Sequence, residues 1–351
     1  MQTASNGMNL GFWKKLKKPF FALAPLADVT DTAFRELVAK YSEHGKPHGG
    51  PDVFWTEFVA VDGLLSEGRK VLLSDFKYTK NEHPIVAQIF GSKPENFREV
   101  AKMIKELGFD GIDINMGCPD KSVEKQGAGA NLIKNPKLAQ EIIRATMEGA
   151  GGLPVSVKTR IGYHNDNLDE WLKALLETKP AAITIHARTR KEMSNVPARW
   201  DTVKRAVELA RGTGTLIIGN GDVADLEDAE LKVRETGADG IMLGRAIFGN
   251  PWLFNKKVKY SEIPYQEKLR VMVEHTYLFE KKLGLNQPRL VGRTDLQGES
   301  VLGGIKSFAI MKKHYKAYVN GFDGAKELRM KLMEAKNARE VKDIVNRFLR
   351  L

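Results

Sequence analysis

Short apolar runs alternate with amphipathic stretches along the first 250 residues. The runs occupy residues 20–27, 53–61, 85–90, 111–116, 155–159, 182–186, 216–219 and 240–243, which predicts eight strands. Between most of them, segments such as PENFREVAKMIKELG, PKLAQEIIRATMEGAG, NLDEWLKALLETK, WDTVKRAVELARG and DLEDAELKVRETG carry apolar residues three to four apart. Several end in Gly, as amphipathic helices do. Strand–helix alternation repeated about eight times predicts an α/β chain folded as a (β/α)8 TIM barrel. A doubly wound sheet would carry a Gly-rich turn after its first strand, and FALAPLADVTD has no glycine.

Pro251 and the lysine-rich stretch 255–264 break this rhythm. Beyond them YQEKLRVMVEHTYLFEKKLG, GGIKSFAIMKKHYKAYVNG, GAKELRMKLMEAK and AREVKDIVNRFLR all show helical spacing, which predicts a C-terminal all-α helical bundle. The polar, glycine-rich connection 284–304 is expected to be mobile or to contact a partner. The expected organisation is a basic extension over 1–19, a catalytic barrel over 20–255 and a helical domain over 256–351.

Charge sharpens this division. The chain of 351 residues has a net charge of +11. Residues 256–351 hold 21 Lys and Arg against 11 Asp and Glu, a surplus of 10, while the other 255 residues hold 34 against 33. A basic segment beside a neutral one points to a module that binds a polyanion, or to a solvated basic surface. The KKLKK cluster near the N-terminus adds to that field or simply frays. No apolar run reaches 18 residues, so no membrane span is expected, and the N-terminus lacks the apolar stretch of a secretory signal. Cys118 is the only cysteine, so no intrachain disulfide can form, and a reducing cytoplasm fits.

In a TIM barrel the active site lies at the C-terminal ends of the strands. Those ends read Ala24, Pro25, Leu26 and Ala27; Glu57; Gln88; Asn115 with Cys118; Lys158 and Arg160; His186 with Arg188; Asn220, Gly221 and Asp222; and Gly244 with Arg245. Packing alone would favour small or apolar residues there. The last two ends flank the position where barrels commonly hold a phosphate. They fit a mononucleotide such as FMN or, equally, a pair of tight turns. Lys158 closes the apolar run VSVKTR, a costly place for a lysine unless it is paired or functional. Beside a flavin ring its charge would stabilise the reduced form, and Gln88 and His186 could hydrogen-bond the ring or ribityl chain. Cys118 stands between Gly and Pro just past a strand, followed by a GxGA run at 127–130 that implies a closely folded loop. One Cys and scattered His give no metal-ligand spacing. A buried inert thiol, a nucleophile and a general acid all remain open.

The segments APLADVTDTAFR, PIVAQIFG, IDINMGCPDKSVEKQGAGANLI, VSVKTRIG, ITIHARTR, IIGNGDV and IMLGRAIFGNPWLF, with MKKHYKAYVNGFDGAKELRMKL in the helical tail, resemble the tRNA-dihydrouridine synthase family. The resemblance runs from about Phe20 to the C-terminus. It implies an FMN-dependent enzyme that reduces the C5–C6 double bond of uridines in tRNA, in the D loop, with NADPH or NADH as reductant. It implies tRNA as the partner and calls for no membrane and no protein partner. Carried over position by position, Cys118 is the acid that protonates C5. FMN is contacted by Pro25, Leu26, Ala27, Gln88, Lys158, His186, Asn220, Gly221, Asp222, Gly244 and Arg245, and Asn115 and Arg160 lie near the uracil. Leu26 stands where the family often has Met, a volume-conserving change. The loop 42–51 is longer than the family pattern leads one to expect. Two other classes fit parts of the chain. One is a small-molecule FMN oxidoreductase of the dihydroorotate or dihydropyrimidine dehydrogenase type, which has no need of the basic tail. The other is an RNA-binding protein whose barrel has lost its chemistry, which intact Cys118, Lys158 and GNGDV argue against.

Overall fold

Eight parallel strands form where the apolar runs lie: β1 (Phe20–Leu23), β2 (Phe54–Ala60), β3 (Ile85–Phe90), β4 (Gly111–Met116), β5 (Val155–Arg160), β6 (Ala182–His186), β7 (Leu216–Asn220) and β8 (Gly240–Leu243). The computed structural model describes residues 8–284 and 306–350. From β2 to β8 each strand pairs with the next, and β8 pairs with β1. The ring closes through the Ala22–Val53 bridge, with Leu23 N–H donating to Val53 O at 3.3 Å and Asp52 N–H donating to Phe21 O at 2.7 Å. The fold is a TIM barrel, and its strands are almost wholly buried, as strands covered on both faces must be. β1 stops at Leu23, earlier than the apolar run 20–27, since Pro25 has no N–H for a ladder.

The chain divides into two compact units. The first comprises Met1–Leu26, Pro51–Phe76 and Glu82–Ala246 and contains the whole barrel. Its long helices are Pro94–Glu106, Pro136–Ala150, Leu168–Leu176, Trp200–Ala210 and Leu226–Thr236, each close to a predicted amphipathic segment. Their ends show why they stop and start. Asp225 caps the last one through Asp228 N–H, and Gly237 closes it at φ 75°. Between β2 and β3 only short helical turns occur. The described part of the N-terminal extension is anchored. Trp13 is 3% exposed and packs with Phe20 and Trp55 in the cluster that fills the barrel. Burying an indole outweighs the solubility of the flanking lysines.

The second unit comprises Ala27–Gly50, Lys77–Asn81 and Ile247–Leu351. It gathers the helix Thr32–Tyr41, capped by Asp31, with Tyr265–Leu283, Met311–Tyr318, Ala325–Glu334 and Ala338–Leu349. The helix that follows β1 therefore packs on Tyr265–Leu283 and shares a core with the C-terminal helices. The long 42–51 loop has a structural use here. Ser42 Oγ donates to Pro251 O at 2.7 Å and accepts from Phe254 N–H at 3.1 Å, and His48 O accepts from Lys256 N–H at 2.9 Å. Among the described residues of the predicted helix, those from Lys306 onward, a 3-10 turn, Phe308–Ile310, runs into Met311–Tyr318. Nearly all of the connection 284–304 lies outside the described residues. Among the described residues no helix is long and apolar enough to cross a membrane.

Candidate functional site

The C-terminal rim of the barrel collects the polar strand ends through parallel register. Gln88 pairs with Asp113, Asn115 with Lys158, Arg160 with His186, and His186 with Asn220. In a closed ring, equivalent positions on successive strands face one mouth.

Cys118 leaves β4 two residues past its end. Asn115 Oδ1 accepts from the N–H groups of Gly117 at 3.1 Å and Cys118 at 2.9 Å, which turns the chain outward. The loop then folds back on itself: Ala130 N–H donates to Cys118 O at 3.0 Å. Gly129 sits at φ 60°, and a Cβ there would come within 2.8 Å of that same carbonyl and of Val123. The GxGA run thus folds over the cysteine's own main chain. The thiol is half-buried against Phe90, Val123 and Ala128. Burial pushes the Cys118 thiol above its ordinary range, despite help to the thiolate from Arg160 and Lys158. It is therefore a protonated thiol at neutral pH.

Lys158 donates to Asn220 Oδ1 at 3.1 Å, and Asn220 Nδ2 donates to Met242 O at 2.8 Å, so the β5, β7 and β8 ends are tied in line. Burial, then repulsion from Arg160, pushes the Lys158 ammonium down to about 8, still mostly charged at neutral pH. Arg160 spends its Nε on Gly117 O at 2.8 Å and its Nη1 on Thr189 O and Met193 O, each at 3.0 Å. It fastens the cysteine loop to the loop after β6, a role beyond the uracil contact expected of it.

His186 lies beside the β7 turn. Arg188 Nη1 lies 3.2 Å from its Nε2, and a guanidinium can only donate, so Nε2 accepts and the proton sits on Nδ1. Burial and the surrounding Arg160, Lys158, Arg188 and Arg245 hold the ring well below the ordinary histidine range, hence neutral. Asp222 bridges Arg188 and Arg245 and accepts from Ala198 N–H at 2.9 Å. Against the upward push of partial burial, these donors keep its carboxyl below the usual range. That carboxylate is therefore committed to two arginines. Gly221 holds φ 127°, where a Cβ would come within 2.9 Å of Ala198 and 3.2 Å of His186. Gly244 stands beside Ala24, and the β1 end is tied to the β8 end by Ala24 N–H donating to Leu243 O at 2.8 Å. Pro25 and Leu26 follow that junction, buried and half-buried, whereas Ala27 belongs to the second unit.

Three groups at this rim have no counterpart in the sequence reading. Asp113, fully buried inside β4, accepts from Gln88 Nε2 at 2.7 Å and Ser156 Oγ at 2.6 Å. Arg190 grips Glu124 with two donors, Nε reaching Oε1 at 2.8 Å, and so joins the loop after β6 to the single helical turn Lys121–Glu124 beyond Cys118. Tyr163 lies under both Lys134, at 4.2 Å from its ring centre, and Arg190, at 5.5 Å. The one hint in the sequence was an aspartate inside the apolar run GIDINM, which is expensive unless paired.

The donor set suits a phosphorylated flavin: a tight β7 turn that only glycine permits, a charged arginine beside it, a desolvated lysine further in, and amides deeper still. Among the described residues no three His, Cys, Asp or Glu gather as metal ligands.

The sequence profile of the dihydrouridine synthase family matches residues 22–351. The chain is 39% identical over 345 residues to a probable tRNA-dihydrouridine synthase of Staphylococcus aureus (strain Mu50 / ATCC 700699), covering 97% of this chain and 96% of that protein. It is 40% identical over 347 residues to the probable tRNA-dihydrouridine synthase 2 of Bacillus subtilis (strain 168), covering 98% of each. Among solved structures, histamine dehydrogenase from Rhizobium sp. 4-9 superposes with a TM-score of 0.50 at 15% identity, over 74% of this chain and 48% of that one. That likeness is one of fold, and this chain spans about half of the longer protein.

Proposed function

The chain belongs to the dihydrouridine synthase family of flavin-dependent oxidoreductases, and from that premise we propose that it reduces the C5–C6 double bond of uridines in the D loop of tRNA, with FMN as its flavin and NADPH or NADH as reductant, in the cytoplasm. The observation that carries this reading is the meeting of a protonated thiol, Cys118, with a desolvated cation, Lys158, and the Gly221 turn at one rim. Flavin bound there would supply hydride to C6 of the uracil. Gly221, Asp222, Gly244 and Arg245 would hold its phosphate, with Pro25 and Leu26 beside the ring. Gln88 and His186 would bond the ring or ribityl chain, His186 as a neutral donor from Nδ1. Lys158 would stabilise the negative charge of the reduced ring. Asn115 and Arg160 would hold the uracil and the loop that carries Cys118, and the Cys118 thiol would give the proton to C5.

Lys158→Ala is expected to weaken FMN binding by about 10-fold or more, the worth of a hydrogen bond to a charged group. Flavin titration monitored by absorbance measures this. Folded wild-type protein that takes up no FMN even from excess would end the reading. Mapping dihydrouridine in tRNA from cells with and without the gene identifies the product.

The surplus of 10 positive charges in residues 256–351 supports that segment as the source of tRNA affinity. Uridine must leave its stack to reach a flavin, which costs a few kcal/mol that phosphate contacts offset. Lys326, Lys331 and Lys342 are exposed there. Replacing all three with Gln is expected to lower the slope of log K against log salt by about 2 to 3. An unchanged slope in filter binding would move the affinity elsewhere.

A further inference from the structure

A carboxylate accepts hydrogen bonds and cannot donate them, whereas a side-chain amide does both and can be turned over. Asp113 is 0% exposed, at the middle of β4. Its Oδ1 takes the Ser156 hydroxyl and its Oδ2 takes Gln88 Nε2. Because Asp113 admits only donors, Gln88 must turn its NH2 inward and its Oε1 outward. Asn115 then donates Nδ2 to that Oε1 at 3.1 Å. With its NH2 so engaged, Asn115 presents Oδ1 to the N–H groups of Gly117 and Cys118. Each link dictates the orientation of the next, and the only member that cannot be reversed is the carboxylate.

We propose that Asp113 is a positioning residue for the proton donor Cys118, acting through the oriented amides of Gln88 and Asn115. This rests on the reading of Cys118 as the acid. The anchor is a charged group in a buried site, where an unmatched donor or acceptor is most costly. Burial raises the Asp113 carboxyl to about 6, with Gln88, Ser156 and Lys158 pulling against it. Both of its oxygens accept, one from Ser156 and one from Gln88, and that gives the chain of bonds its direction. It also links the site's two halves: Gln88, which faces the flavin in the proposed function, and the loop that carries the thiol.

The test moves the carboxylate one link along. Gln88→Glu sets two carboxylates against each other and removes the donor that Asp113 requires. Adding Asp113→Asn supplies an amide donor to the new carboxylate, whose second oxygen still accepts from Asn115 Nδ2. Asn115 then keeps Oδ1 toward Cys118, and the net charge of the network is unchanged. Cys118 is the only thiol in the chain, so its alkylation by iodoacetamide reports on this loop alone. The full-length protein, purified with its flavin and free of tRNA, is alkylated across a pH series, which separates the thiolate fraction from the limiting rate. Gln88→Glu is expected to change the limiting rate by about fivefold or more, the size of one buried hydrogen bond, and the double variant to return within about twofold of wild type. An insoluble single variant rescued by the double one supports the proposal as well. A single variant that behaves as wild type, or a double variant no closer to wild type than the single, overturns it. Dihydrouridine synthesis by the wild type is assayed separately, so failure of the enzymatic reading shows there and leaves the alkylation result interpretable.

Discussion

Cys118→Ser is expected to keep the fold, the flavin and oxidation of the nicotinamide reductant, and to lose about 10²–10⁴-fold in uridine reduction, the usual contribution of a general acid. Hydride arriving at C6 leaves negative charge toward C5 and the C4 carbonyl, and a proton must be delivered to C5. The half-buried Cys118 thiol, raised by desolvation, is protonated at neutral pH and, in the proposed function, is the group that supplies it. Serine has nearly the same size and is a far weaker acid, so the loss isolates proton transfer from packing. A corollary follows for pH. A group whose pKa lies above its ordinary value stays protonated through neutrality, so the rate of the reductive step should hold level there and fall only on the alkaline side. The assay is single turnover: flavin is reduced first, unmodified tRNA is added without oxygen, and flavin reoxidation is followed. A serine variant within about threefold of wild type would assign the proton to another group or to water.

The second large effect is on stability in acid. His275 and His314 are both 0% exposed in the second unit, their rings edge to face at 4.5 Å, with Phe34 4.9 Å from one and 5.0 Å from the other. No ring nitrogen of either has a hydrogen-bond partner among the described residues. Burial, then the neighbouring His314, holds His275 well below the ordinary histidine range, and burial with Lys313 pushes His314 down to about 3. Both rings are therefore neutral in the folded protein and charged in the unfolded chain below about pH 6.5. For a base with a lowered folded pKa, the stability is complete above the unfolded value and declines as pH falls below it. From neutrality to about pH 5 each ring costs about 2 kcal/mol, and the pair about 4 kcal/mol, a large part of an ordinary domain's 5–15 kcal/mol. Urea midpoints at the two pH values, for wild type and for His275→Leu with His314→Leu, measure it. The variant should lose much less on acidification. Equal losses would place the acid sensitivity in other groups.

The strands and helices were legible because their determinants are local. A parallel strand covered on both faces must be continuously apolar, and runs such as IVAQIF and AITIH say so without reference to anything distant. The barrel helices declare themselves by apolar spacing, by caps such as Asp225 and by terminators such as Gly237. Cys118 was legible for a related reason: a cysteine between Gly and Pro after a strand, followed by GxGA, is a loop that folds tightly whatever surrounds it. The charge division between the two parts of the chain needed only counting. Together these determined the fold class and the rim on which to look.

What the tertiary structure decided is pairing between residues far apart in sequence. Asp113 looks like a flaw in an apolar strand until barrel closure sets Gln88 and Ser156 on either side of it. Arg190 and Glu124 meet across 66 positions of chain, which no propensity of either segment encodes. Arg160 ends a strand as a candidate substrate contact, and its Nε and Nη1 also hold carbonyls of two loops. The helix Thr32–Tyr41 has the pattern of any barrel helix, but its apolar face lies in the second unit with His275 and His314. Trp13 sits among lysines and still fills the barrel's core. Periodicity and capping act over a few residues, so they specify elements. Which polar groups satisfy one another, and which stay buried without a partner, depends on strand register and packing, which exist only once the ring has closed.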